Sequence, residues 1–84
     1  MRNDWIITFR SVTFAQKGER VLRSRGMDCR LARTPRQLSE RGCSYCLRLR
    51  LSDAVEAVQL LRQQGAEFEK VYARIGSAVE ERLL

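Results

Sequence analysis

Two cysteines three positions apart, Cys43 and Cys46, form a C-x-x-C motif and are the residues of this chain best suited to chemistry. In redox proteins of the thioredoxin kind this motif opens a helix, whose N-terminal dipole stabilises the thiolate. Here the motif opens an alternating run that predicts a strand. Residues three apart in extended chain lie about 10 Å apart, whereas a disulfide needs Cα atoms within about 7 Å. A bond between the two cysteines therefore requires a turn, with the strand starting at Cys46 or later.

The side chains that could assist a reactive cysteine are few. The chain contains no histidine, which removes imidazole as a general base, as the partner of a nucleophilic cysteine and as a metal ligand. Three cysteines cannot close a four-ligand zinc site within one chain, so zinc would require a dimer. An odd number of cysteines also argues against a disulfide framework. We predict no resident metal, no cofactor and at least one free thiol.

Arginines surround the C-x-x-C motif in the sequence. We predict that four of them form an anion-stabilising surround for Cys43: Arg36, Arg41, Arg48 and Arg50. Neighbouring cations lower the pKa of a thiol from its usual value of about 8.5, which favours a thiolate or a persulfide anion. Cys46 is then a candidate resolving thiol. The alternative is that Cys43 is an incidental loop cysteine and Cys46 fills space in the interior.

The charge of the chain is basic and unevenly distributed. Sixteen Lys and Arg residues stand against ten Asp and Glu, for a net charge of +6. Residues 1–50 hold twelve of the cations and four of the acids, whereas residues 51–84 hold four and six. Fourteen of the cations are arginine, whose forked donors suit phosphate, carboxylate or another oxyanion. The first half of the chain is therefore predicted to face anions.

The composition predicts one folded domain over residues 1–84. Hydrophobic residues make up 44% of the chain and charged residues 31%, which is typical of a globular protein. No apolar run approaches the roughly 18 residues of a membrane span, and the first ten residues lack the features of a signal peptide. These observations predict a cytoplasmic protein that does not contact a membrane.

Hydrophobic periodicity predicts four strands and two helices. Strands are expected at 5–9, 28–33, 45–51 and 67–75, and helices at 13–25 and 53–64. Gly26 and Gly65 supply the helix stops. Residues 36–44 are predicted to form a loop with one helical turn at 36–40. Thr13 with Gln16 has the form of a capping box, as does Ser77 with Glu80, which predicts a final helical turn or two within 76–84.

The order β-α-β-β-α-β at this length predicts an α+β fold of the ferredoxin-like kind. It consists of a four-stranded antiparallel sheet with both helices on one face and with the first and third strands in the middle. Cys29 alternates with Leu31 on the helix-facing side of the second strand and is predicted to be core. The third strand would direct Cys46, Arg48 and Arg50 to the open face.

Four stretches of the chain carry a family resemblance. They are W-I-I-T-F-R-S at 5–11, T-P-R-Q-L-S at 34–39, Cys43 followed by Leu47-Arg48, and G-A-E-F-E-K-V-Y at 65–72. Together they resemble the small bacterial domains of the selenium or sulfur carrier-like family, over about residues 5–75. The most specific part is the T-P-R-x-L-S stretch that leads into a cysteine and an arginine-containing strand.

The resemblance implies a role for Cys43 as a carrier atom. It would hold sulfur or selenium as a persulfide or selenosulfide and pass it between partner proteins that donate and accept it. Such a protein is a thiol carrier rather than an enzyme. Family members usually have glycine after this cysteine, where the present chain has Ser44, and glycine reaches positive φ more readily than serine.

Nucleic-acid binding is an alternative for a basic domain of this topology, since the cationic first half could contact phosphates. RNA-recognition domains stack bases on aromatic side chains of the open sheet face. Here the first strand would offer Ile6, Thr8 and Arg10 to that face, so no stacking platform is predicted. The expectation is therefore non-specific binding at most.

A third function class is a regulatory or assembly module in which the open faces of two copies pair into a homodimer. Arg48 and Arg50 would then need acidic partners such as Glu67 or Glu69, because unpaired charges are costly in a dry interface.

Overall fold

The structure, a computed structural model, describes residues 4–38, 44–50 and 53–82. Its strands are β1 Asp4–Phe9, β2 Cys29–Arg33, β3 Tyr45–Arg50, β4 Val71–Ile75 and β5 Ala78–Glu81. Its helices are α1 Val12–Ser24 and α2 Ala54–Gln63, and a single 3₁₀ turn spans Arg36–Leu38. None of the described helices is long and apolar enough to cross a membrane.

Five strands form one antiparallel sheet in the order β2-β3-β1-β4-β5. The α+β class is confirmed, and β1 and β3 lie side by side between β2 and β4, as predicted. The prediction of four strands was wrong, because the last segment pairs with β4 instead of forming helical turns. Ile75 pairs with Ala78 across a turn whose Gly76 has φ 62°, a positive value that two-residue hairpin turns favour. Ser77 therefore lies in a hairpin turn and not at a helix cap.

Several boundaries also differ from the predictions, and two of these differences concern how an element begins. The cap of α1 is Ser11, whose hydroxyl accepts a hydrogen bond from the amide of Phe14 at 3.4 Å, so Thr13 lies inside the helix. β4 begins at Val71, and residues 67–70 precede it as irregular chain. Both differences leave the order of the elements unchanged.

The main core lies between the two helices and one face of the sheet. Its buried residues include Ile7 and Phe9 of β1, Leu47 and Leu49 of β3, Leu22 of α1, and Val58 and Leu61 of α2. Gly18 of α1 lies directly over this core, and a Cβ there would be 2.9 Å from Cζ of Phe9. The helix can approach β1 this closely because glycine has no side chain.

The opposite face of the sheet carries a second, much smaller cluster of buried side chains. Its members are Ile6, Cys46 and Tyr72, with Ala32, Leu38 and Val79 packed against them. Leu38 belongs to the 3₁₀ turn in the loop between β2 and β3, and Val79 belongs to β5, the strand that was not predicted. These two elements cover this part of the face. Beyond this cluster the face carries Thr8, which is buried, and a group of charged side chains.

Candidate functional site

Cys46 lies in the small cluster and is fully buried. Its thiol donates to the carbonyl oxygen of Arg33, with 3.8 Å between Sγ and the oxygen. Burial raises the pKa of the Cys46 thiol, and this outweighs the opposing effects of Arg48 and of the Thr34 hydroxyl beside the sulfur. That hydroxyl is itself buried and has no partner of good hydrogen-bond geometry in the described part of the chain. Cys46 is therefore a neutral interior thiol at pH 7.

β3 starts one residue earlier than the prediction for a bond between Cys43 and Cys46 required. β3 begins at Tyr45, one residue before Cys46, and both residues are paired with β1 and with β2. For Cys46 to act as a resolving thiol, its buried sulfur would have to become exposed.

Cys29 is the second buried thiol. It lies in the main core with 4% of its surface exposed, which confirms the prediction from its alternation with Leu31. Burial raises the pKa of Cys29, opposed by the neighbouring guanidinium of Arg23. Like Cys46, it is held in its neutral form at neutral pH.

Two residues of the predicted site, Cys43 and Arg41, lie outside the described residues. The described residue that follows Cys43 is Ser44, whose carbonyl accepts a hydrogen bond from the amide of Thr34 at 3.0 Å. This bond extends the pairing of β2 with β3 by one step. Every described residue with positive φ is a glycine, so Ser44 takes an ordinary backbone conformation.

Cations collect at the end of the sheet where Ser44 lies. Arg33 is opposite Tyr45 in the pairing of β2 with β3, and its guanidinium lies 5.9 Å from the centre of the Tyr45 ring. Arg36 is exposed in the 3₁₀ turn. Arg10 follows β1, whose last residue is also opposite Tyr45, and lies over the ring of Phe14 at 5.8 Å. We call Arg10, Arg33 and Arg36 the Ser44-end cations.

The N-terminus of α1 lies at the same end, because Ser11 caps that helix immediately after β1. The first turn of α1 contains no acidic residue. The partial positive charge of the helix terminus is therefore not neutralised within its own first turn.

Arg48 and Arg50, two further residues of the predicted site, lie toward the far end of β3. At about 3.3 Å per residue they are about 10 Å and 17 Å from Tyr45, where the strand begins. Arg48 lies 3.6 Å from a carboxylate oxygen of Asp4, and Arg50 lies 4.0 Å from one of Asp28. The four predicted arginines thus divide: Arg36 is a Ser44-end cation, Arg48 and Arg50 belong to the open face, and Arg41 lies outside the described residues.

Arg10 and Arg33 were not among the predicted site residues. The signal that could have found Arg33 is the register of the β2–β3 pair, since a residue opposite Tyr45 necessarily lies at the end of β3 that joins Cys43. Arg10 follows from the same logic applied to β1 and β3. Within the described ranges, no three His, Cys, Asp or Glu side chains are grouped so that they could hold a metal ion.

Comparison with known proteins identifies one family. Residues 4–73 match the family described as Putative Se/S carrier protein-like. No curated protein and no solved structure matches the chain.

Proposed function

Because the chain belongs to the Se/S carrier protein-like family, we propose that it is a chalcogen carrier whose acceptor atom is the sulfur of Cys43. The observation that carries this assignment is the burial of the other two thiols. Cys29 and Cys46 are both interior, and burial raises the pKa of each. A thiolate is the nucleophile in sulfur transfer, so neither is suited to the task at neutral pH. Cys43 is the remaining cysteine of the chain.

The transfer consists of two exchange steps without net oxidation. In the first, the Cys43 thiolate attacks the terminal sulfur of a donor persulfide, R–S–SH. A new S–S bond forms at Cys43, the donor's S–S bond breaks, and the donor leaves as its thiolate, R–S⁻. In the second, the thiolate of an acceptor attacks the terminal sulfur on Cys43, and Cys43 leaves as thiolate. With selenium the cargo atom is the terminal selenium of a selenosulfide.

The positive charge near Ser44 supports this chemistry. Both the attacking thiolate and the loaded persulfide are anions, and cations or a helix N-terminus lower the pKa of a nearby thiol. Cys43 is bonded to Ser44, so its Cα lies about 3.8 Å from that of Ser44. In this account the Ser44-end cations and the N-terminus of α1 supply the positive electrostatic field at Cys43. Arg41, two positions before Cys43 in the sequence, adds to it. No histidine is needed, because the reaction requires a thiolate and not a general base.

The test is mass spectrometry of the intact protein after incubation with a cysteine desulfurase and free cysteine. We expect a gain of one sulfur atom that is lost in Cys43→Ser. Cys29→Ser and Cys46→Ala are the matched controls, and both should keep the gain. Reduction with dithiothreitol should remove the added atom. Loading that persists in Cys43→Ser contradicts the assignment.

A further inference from the structure

The open face of the sheet, opposite the helices, carries a group of arginines that are not part of the small buried cluster. The register of the strands places four of them on three strands, with one carboxylate on β1 between β3 and β4: Arg30 of β2, Arg48 and Arg50 of β3, and Arg74 of β4. We call these four residues the arginine face. The carboxylate is that of Asp4, which is opposite both Arg50 and Arg74 in its pairings with β3 and β4.

The charges of the arginine face are only partly balanced by the protein itself. Asp4 accepts a hydrogen bond from Nε of Arg74 at 2.9 Å and also lies 3.6 Å from Nε of Arg48, so one carboxylate serves two guanidiniums. Nε of Arg48 is buried and makes no hydrogen bond within the described residues. Arg50 reaches only Asp28, at 4.0 Å, with both side chains mostly exposed. A solvent-exposed ion pair of this kind contributes little to the stability of the fold.

Arg30 is the least compensated member. It is exposed, and no acidic side chain among the described residues forms an ion pair with it. It is directly opposite Arg48 in the pairing of β2 with β3. Like charges directly opposite each other destabilise a sheet. The Arg30–Arg48 pair therefore works against the fold, and an external anion would relieve the repulsion.

We propose that the arginine face is the docking surface for an acidic segment of the protein that exchanges sulfur or selenium with this carrier. The proposal rests on the carrier function and names the kind of partner surface that it requires. Guanidinium groups bind carboxylates through paired, charge-assisted hydrogen bonds. A depression of about 720 Å³ lies beside Arg30, Arg48 and Arg50 and continues over the β2 edge to Arg23 of α1. The carboxylates of Asp4, Glu19 and Asp28 also line it, so its cations outnumber its anions by four to three. A side chain of the partner can enter it.

The dimensions of the face favour a chain with several carboxylates over a single small anion. Arg30 on β2 and Arg74 on β4 are three strand spacings apart, or about 14 Å. No single phosphate or sulfate spans that distance. Nucleic acid is disfavoured by the surface between the arginines: Ile6 is fully buried and Tyr72 is 9% exposed, so these residues present no ring for base stacking.

The position of the arginine face also fits a carrier. It occupies the half of the open face beyond Cys46, about 10 to 17 Å along β3 from the strand's first residue. A partner held there leaves the Ser44 end uncovered. The partner's reactive sulfur can then approach the Ser44 end from outside the sheet.

Binding of fluorescein-labelled hexaglutamate, measured by fluorescence anisotropy at low ionic strength, tests the proposal. The variant Arg30→Gln/Arg48→Gln is expected to weaken binding by about tenfold or more, because it removes two guanidinium contacts. The matched control is Arg20→Gln/Arg25→Gln, which removes the same charge from exposed positions in and after α1. It is expected to change binding by less than about twofold, since both residues lie away from the proposed contact. Arg30→Gln alone, which has no described ion pair to lose, repeats the test should the double variant be unstable.

Three results would overturn the proposal. The first is equal loss of binding in the two double variants, which indicates general charge attraction. The second is tighter binding of an oligothymidylate of the same length than of hexaglutamate, which indicates nucleic acid. The third is complete displacement of the peptide by inorganic phosphate at matched charge concentration, which indicates a small-anion site.

Loading of Cys43 by inorganic polysulfide separates this proposal from the carrier function. Polysulfide is a small donor and needs no docking surface. The arginine variants are therefore expected to load as well as wild type. Failure of wild type to load contradicts the carrier function and leaves the peptide-binding result standing.

Discussion

The two faces of the sheet differ in what fills them. The face under the helices is closed by apolar side chains of α1 and α2 and contains Cys29 as an interior thiol. The other face is not covered by α1 or α2, and among the described elements the 3₁₀ turn contributes Leu38 to it. Its small cluster of Ile6, Cys46 and Tyr72 lies beside an area occupied by arginines. The stability of the fold resides mainly in the first face, which leaves the second free to carry charge.

β3 shows the difference within one strand. Leu47 and Leu49 enter the main core, whereas Cys46, Arg48 and Arg50 alternate with them toward the other face. Along that second face the environment changes from a buried thiol to a largely exposed guanidinium within four residues. Burial there depends on whether a neighbouring element, such as the 3₁₀ turn with Leu38, covers the position.

The largest expected effect compares two adjacent residues of β1. Ile6 and Ile7 are both fully buried but lie on opposite faces. We expect Ile7→Ala to lower the free energy of unfolding by about 4 kcal/mol and Ile6→Ala by about 2 kcal/mol, because the small cluster can relax into the space more easily. Urea denaturation of the two variants measures the difference. Equal losses would show that the open-face cluster is packed as tightly as the main core.

A smaller effect is expected from filling the helix-covered face. Gly18→Ala adds a methyl group 2.9 Å from Cζ of Phe9 and 3.3 Å from Cδ1 of Leu47. The gain in helix propensity, about 1 kcal/mol, is outweighed by an overpacking cost of about 1 to 3 kcal/mol. We expect a net loss of about 1 kcal/mol in urea denaturation. Gly18→Ala should cost less when it is introduced into a Phe9→Leu protein than when it is introduced into the wild type. A Gly18→Ala protein that is more stable than the wild type would mean that the contact with Phe9 is loose.

Alkaline pH probes one buried thiol on each face. The folded-state pKa values of Cys29 and Cys46 are raised, so the unfolded chain releases these protons first as pH rises. The two thiols make their full contribution to the free energy of unfolding below the unfolded pKa of about 8.5. That contribution is lost as pH rises through the folded pKa values. We expect the free energy of unfolding to fall as pH rises above about 8.5. Urea denaturation at a series of alkaline pH values measures this decline.

The controls for this pH dependence are single cysteine variants. Cys46→Ala should make the alkaline decline shallower, while Cys43→Ser should leave these buried thiols and their contribution unchanged. If the free energy of unfolding of Cys46→Ala declined with pH as steeply as that of the wild type, burial would not raise the pKa of the Cys46 thiol.

The smallest effect concerns the arginine face. Arg30→Glu replaces a like-charge pair with an opposite-charge pair across β2 and β3. We expect it to raise the free energy of unfolding by about 0.2 to 1 kcal/mol while it weakens hexaglutamate binding. Arg20→Glu on α1 is the control for net charge. Destabilisation by Arg30→Glu alone would mean that Arg30 serves the fold.

Much of the fold could be predicted from local patterns. The alternation of apolar residues predicts β1 and β3, and Gly26, which has φ 78°, marks the end of α1. Such patterns are enough to predict the order of the elements from β1 to β4. The C-terminal hairpin could not be distinguished in the same way, because Ser77 with Glu80 also has the form of a helix cap. What decides for a strand is pairing with β4, which is a tertiary interaction.

For the candidate site, sequence proximity led to the prediction that Arg48 and Arg50 surround Cys43, and this stays a prediction. The structure adds that both arginines lie some distance along β3 from Ser44. Arg33 is ten positions from Cys43 in sequence, yet register brings it opposite Tyr45. The burial of Cys46 depends on cover by Leu38 and Val79, which strand alternation cannot reveal.

The most direct test of the central claim is to locate the added sulfur within one peptide. Trypsin cleavage after Arg41 and Arg48 releases residues 42–48, which contain both Cys43 and Cys46. The protein is loaded with a desulfurase and cysteine, blocked with iodoacetamide, and the fragment spectrum of this peptide is recorded. The account predicts that the extra sulfur is on Cys43, with Cys46 unmodified until the protein is unfolded. Extra sulfur on Cys46 would contradict it.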